Sequence, residues 1–196
     1  MAHAPENTVA SFEKAIALEC DEVETDVWLR SGRLVISHDP PDAAAALTLD
    51  EVLDLCRGRV GVNVELKSEG DETGAAAIGA AVAKRLAARG DPEAYVSSFW
   101  WSALVAARAA APTVRRAFVF SDSPDREALI ASALSLGLWA LHPNRAYVTR
   151  ELVTAAHAAG FRVNAWTVND QKEIGAFAAL GVDGIMSNWP ERIPKQ

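Results

Sequence analysis

Short runs rich in apolar and β-branched residues recur along the chain at residues 22–29, 34–37, 60–66, 95–99, 117–120, 138–141, 162–168 and 184–186. Between most of them lie stretches with helical spacing. Val9, Phe12 and Ile16 fall at i, i+3 and i+7, and Val52, Leu53 and Leu55 cluster on the next such stretch. Helix punctuation agrees. Thr48 with Glu51, and Asp170 with Glu173, read as capping boxes, and Ser123 before Pro124 reads as an N-cap. Gly90, Gly137, Gly160 and Gly181 each follow a helical stretch, where a left-handed residue is wanted. Strands alternating with helices predict a parallel sheet with helical crossovers.

One link breaks the alternation. Only Arg30, Ser31, Gly32 and Arg33 separate the first two runs, too few for a crossover, so they form a hairpin on the end of the first strand. Seven βα-type strands remain, one short of a closed (β/α)8 barrel. An open doubly wound sheet is the structural competitor.

Composition narrows the class. The chain has 196 residues, half of them apolar, which suits one soluble domain over residues 1–196. A net charge of −7 disfavours nucleic acid as a partner, because a phosphate backbone calls for a basic face. No apolar run approaches the ~20 residues of a membrane span, so stable membrane insertion is not expected. Two cysteines, Cys20 and Cys56, suit a reducing compartment, and a cytoplasmic location is expected. The oligomeric state is left open.

In parallel α/β folds, chemistry gathers at the carboxyl ends of strands. Glu24 and Asp26 are two apart on a strand and share one face. Asn63, Glu65 and Lys67 alternate on the next strand, and His38 and Asp39 end the hairpin arm. Glu24, Asp26 and Glu65 make an all-oxygen set, which suits Mg²⁺ or Ca²⁺ better than zinc. Lys67 offers a cation to an anionic substrate, and His38 is the natural proton-transfer group. The competing expectation is that these acids are salt-bridged to Arg30, Arg33 or Lys67. His142 and His157 read as a loop and a helix residue, outside the site.

Seven motifs in order then carry a resemblance. They are Pro5, Glu6, Asn7 and Thr8; Glu24-x-Asp26; His38-Asp39; Asn63-x-Glu65-x-Lys67; Ser98-Phe99; the stretch 163–169 with Asn164, Trp166 and Asn169; and Gly181-Val182-Asp183-Gly184. In this order and spacing the chain resembles the glycerophosphodiester phosphodiesterases over nearly its whole length. The resemblance implies a (β/α)8 TIM barrel that cleaves a small-molecule glycerophosphodiester to glycerol 3-phosphate and an alcohol, using a divalent cation. It implies Glu24, Asp26 and Glu65 as ligands of Mg²⁺ or Ca²⁺, His38 as one of two acid/base histidines, and Lys67 as a phosphate contact. Phe99 and Trp166 would form the apolar wall beside the glycerol.

The family pattern opens with a strand ending in His-Arg-Gly, ahead of the Pro-Glu-Asn-Thr helix. Here Met1, Ala2, His3 and Ala4 stand directly before Pro5. The expectation is that this first strand, with its histidine and arginine, is missing from the chain and that the natural start lies upstream. Two alternatives follow: a barrel that binds phosphodiesters without turning them over, or a related phospholipase that forms cyclic phosphates.

Overall fold

The computed structural model describes residues 3–41 and 47–194. The chain divides into two compact units, one ending at Arg116 and one beginning at Ala117.

The first unit opens with α1 (Val9–Ala17). Thr8 caps it, accepting from the Ser11 amide while the Ser11 hydroxyl answers the Thr8 amide. Of the three residues expected on its apolar face, Phe12 is buried, but Val9 is 50% exposed. Then come β1 (Glu22–Arg30), β2 (Arg33–Ile36), α2 (Leu49–Cys56), β3 (Gly61–Leu66), α3 (Glu72–Arg89), β4 (Ala94–Ser98) and α4 (Trp101–Ala110).

Its strands run in the order β2-β1-β3-β4, with only the β1–β2 hairpin antiparallel. The hairpin is tighter than the four-residue link suggested. Arg30 pairs with Arg33, leaving Ser31 and Gly32 as a two-residue turn, both with positive φ (50° and 76°).

Alternation along the strands separates two faces. Val27, Val64 and Val96 are fully buried, as are Val82 of α3 and Leu104 of α4. Helices α3 and α4 approach closely at Gly79, where an added Cβ would lie 2.1 Å from the Ala103 carbonyl oxygen. The opposite face carries Glu24 and Asp26 of β1 and Asn63 and Glu65 of β3.

The second unit holds β5 (Arg116–Phe120), α5 (Arg126–Leu136), β6 (Ala140–Pro143), α6 (Arg150–Ala158), β7 (Arg162–Ala165), α7 (Gln171–Leu180) and β8 (Gly184–Ile185). Neighbouring strands here are parallel and sequential. All four expected helix-ending glycines have φ between 62° and 85°.

Three local readings are corrected. Ser123 does not cap α5; Asp125 does, accepting from the Ala128 amide at 2.8 Å, so Pro124 stays outside the helix. Asp170 caps α7, but Glu173 does not return the bond, because it pairs with Arg145. Strand β6 sits two residues later than the apolar run. The Leu138 amide turns back to the Ala133 carbonyl and belongs to the helix end. His142 therefore lies on a strand. Pro143 is tolerated in the ladder because its carbonyl, not an N–H, is what Trp166 uses.

Candidate active site

The register of β1 and β3 assembles the carboxylates. Glu24 lies beside Asn63 and Asp26 beside Glu65, all on one face. Glu24, Asp26 and Glu65 each offer an oxygen within 4.8 Å of the others. Lys67, one alternation beyond Glu65, places Nζ 2.9 Å from Asp26 Oδ1 and also donates to Glu65 Oε1. Both competing expectations meet in one arrangement, since the three acids gather and two of them pair with Lys67. Arg30 is engaged elsewhere, pairing with Glu69 at 2.5 Å and lying over the Trp28 ring.

A residue outside the expected site positions Asp26. Asn7, from the Pro-Glu-Asn-Thr segment, donates through Nδ2 to Asp26 Oδ2 at 3.0 Å and accepts from the Thr25 hydroxyl at 2.9 Å. Its φ of 55° is one that asparagine tolerates better than most residues. The signal available in the sequence was this asparagine directly ahead of a capping threonine.

Three acids around one ammonium leave an excess of negative charge. Burial, then the nearby Asp26 and Glu65 carboxylates, push the Glu24 carboxyl well above the usual carboxylate range. Burial also raises Glu65, against the opposing pull of Lys67. Burial works against the Lys67 ammonium, yet Glu65 and Asp26 outweigh it and hold the lysine above its ordinary value.

Glu24 Oε1 is buried without a hydrogen-bond partner. An acceptor so placed, in an all-oxygen set with surplus negative charge, fits a hard divalent cation. Glu24, Asp26 and Glu65 are the residues that would hold it.

His38 follows β2, mostly exposed, with Nδ1 3.2 Å from Asp39 Oδ1. It directly follows Ser37, whose amide donates to the Asp26 carbonyl at 3.1 Å. Phe99 leaves the end of β4 and is 40% exposed. The chain turns there because the Ser98 hydroxyl donates to the Leu66 carbonyl and accepts from the Trp100 amide.

The remaining expected residue, Trp166, belongs to the second unit. It follows β7, its indole N–H donating to the His142 carbonyl at 2.8 Å. The Trp166–Thr167 peptide is cis. Beside it, Arg145, Thr167, Asn169, Asp170 and Glu173 line a polar cavity of about 350 Å³. His142 is buried, its Nε2 3.1 Å from the Asn164 amide nitrogen, and burial pushes its pKa down to about 3. His157 ends α6 and pairs with Asp183 at 2.8 Å, which in turn accepts from the Val163 amide. That pair ties α6 to the start of β7.

Similarity to known proteins agrees with this geometry. The model of the Glycerophosphoryl diester phosphodiesterase family matches residues 1–60 and 41–192. A glycerophosphodiester phosphodiesterase of Bacillus altitudinis is 28% identical over 229 residues, covering 97% of this chain and 92% of that protein. An Oleispira antarctica phosphodiesterase, solved in complex with the product sn-glycerol-3-phosphate, superposes with a TM-score of 0.85 at 27% identity, over 98% of this chain and 91% of its own. A glycerophosphodiester phosphodiesterase from Parabacteroides distasonis shares the fold, with a TM-score of 0.85 at 18% identity, over 97% of this chain and 89% of that one. The (β/α)8 class implied by the resemblance is the class shared with these structures. With the family match spanning nearly all of its length, the chain belongs to the glycerophosphoryl diester phosphodiesterase family of phosphoric diester hydrolases.

Proposed function

We propose that the chain hydrolyses glycerophosphodiesters to glycerol 3-phosphate and an alcohol, in lipid and glycerol metabolism, with Mg²⁺ or Ca²⁺ held by Glu24, Asp26 and Glu65. The observation that carries the reading is the convergence of these three carboxylates, each with an oxygen within 4.8 Å of the others, around the ammonium of Lys67. A bound divalent cation supplies neutralising charge at a phosphoryl oxygen.

The chain's own residues account for the rest. Lys67 is held charged by Asp26 and Glu65 and offers its ammonium to the phosphate. His38 stands at the exposed edge of the cluster, where a proton can pass between the ring and the reacting oxygen. Phe99, exposed at the end of β4, supplies apolar surface for the glycerol moiety. The sn-glycerol-3-phosphate held by the Oleispira antarctica relative supports this product class.

No helix of the described residues is long and apolar enough to cross a membrane. Among the described residues, Cys20 and Cys56 form no disulfide. A cytoplasmic location is part of the proposed reading.

The test is release of glycerol 3-phosphate from a glycerophosphodiester, with Mg²⁺ or Ca²⁺ and again with chelator. Turnover that the chelator abolishes is expected. A cyclic phosphate as the end product would replace hydrolysis with cyclisation, and chelator-resistant turnover would remove the cation.

A further inference from the structure

The three carboxylates share their face with a fourth buried oxygen. Asn63 is the register partner of Glu24 across the β1–β3 ladder and stands two residues before Glu65 on the same strand. Its side chain therefore shares the carboxylate face. Asn63 is 3% exposed, and its Oδ1 has no hydrogen-bond partner. The same holds for Oε1 of its neighbour Glu24.

Paired positions on adjacent strands are about 4.8 Å apart, so two buried oxygens that no donor reaches share one face. The Lys67 ammonium is engaged by Asp26 and Glu65. Oxygens so placed are satisfied by a positive charge. The buried Ser97, level with Glu65 on β4, also has an unpartnered oxygen. A hydroxyl can donate as well as accept, so Ser97 makes no comparable demand.

We propose that Asn63 Oδ1 is a fourth oxygen donor of the cation site, a neutral one beside Glu24, Asp26 and Glu65. This rests on the metal-dependent reading above. Amide oxygens are ordinary ligands of hard divalent cations. A neutral donor adds a ligand without adding to a negative charge already in excess. The asparagine at this position is thereby distinguished from a merely packed strand residue.

The experiment is calorimetric titration of the full chain with Mn²⁺, Mg²⁺ and Ca²⁺, comparing wild type, Asn63→Leu and Asn63→Asp. Leucine keeps the volume and removes the oxygen. Aspartate keeps the oxygen and loses the amide N–H. Asn63→Leu is expected to bind the cation at least about tenfold more weakly. Asn63→Asp is expected to bind at or above wild-type affinity.

Wild-type affinity in Asn63→Leu overturns the proposal. So does an Asn63→Asp variant weakened about tenfold, because it would make the amide N–H the working group, donating to Glu24. If Asn63→Leu fails to fold, Asn63→Ala, which also lacks the oxygen, decides by the same criterion: binding about tenfold weaker supports the proposal and wild-type affinity overturns it. A wild-type chain that binds none of the three ions defeats the metal-dependent reading itself, and this inference with it.

Discussion

Asn7 holds Asp26. Its amide nitrogen donates to the aspartate Oδ2 at 3.0 Å, while Lys67 takes Oδ1 from the other side at 2.9 Å. Asp26 is thereby fixed in orientation before any ligand arrives, as outer-shell partners fix metal ligands elsewhere. Replacing Asn7 with glycine accepts the φ of 55° while removing the amide. Asn7→Gly is expected to weaken divalent cation binding about tenfold with the fold retained. Cation titration together with circular dichroism checks both parts.

Lys67 is the counter-charge of the cluster. Lys67→Met leaves three gathered carboxylates without their ammonium, and breaking such a partly buried set costs about 3 kcal/mol. The variant is expected to melt earlier than wild type in chelator and to gain more from added Mg²⁺. Its turnover should fall about 100-fold or more, through loss of charge beside the phosphate. Melting curves with and without the cation separate the two effects.

His38 stands at the edge of the cluster and is not among its gathered carboxylates. His38→Ala is expected to lower turnover about 100-fold or more while cation affinity stays near wild type. A variant with full turnover would take His38 out of the chemistry.

His142 makes stability depend on pH. Buried and neutral, it takes up a proton only at about pH 3, whereas the unfolded chain does so near 6.5. Between those values the unfolded state binds the extra proton. Stability therefore rises with pH, and His142's contribution is lost as pH falls below 6.5. Between about pH 7 and about pH 5, urea denaturation should show wild type losing about 2 kcal/mol more than His142→Gln, a difference that isolates His142 from the other titrating groups.

Gly79 permits the contact between α3 and α4. In Gly79→Ala the new methyl would sit 2.1 Å from the Ala103 carbonyl oxygen, in a place only backbone movement can relieve. A loss of about 2 kcal/mol in urea is expected, with little change in turnover per folded molecule.

The strand runs were legible because a buried sheet writes its own alternation into the chain. Each expected run coincides with or overlaps a strand. The errors fall at ends. The apolar run 138–141 begins inside a helix terminus, because Leu138 returns its amide to Ala133. Ser123-Pro124 is a plausible start, but Asp125 is the residue whose side chain reaches the Ala128 amide. Hydropathy does not distinguish these cases; hydrogen-bond geometry does.

The sequence by itself determined the alternation of strands and helices, the family through seven motifs in order, and which acids share a face, since two-residue spacing on a strand puts carboxylates on one side. Only the tertiary structure decided how they are used. The β1–β3 register brings Glu65 level with Asp26 and Asn63 level with Glu24. The fold also returns Asn7, nineteen residues away, to the Asp26 carboxylate. Spacing along one strand is a local property of the backbone. Which residue faces it from the next strand depends on a register fixed by packing, and that no single stretch of sequence contains.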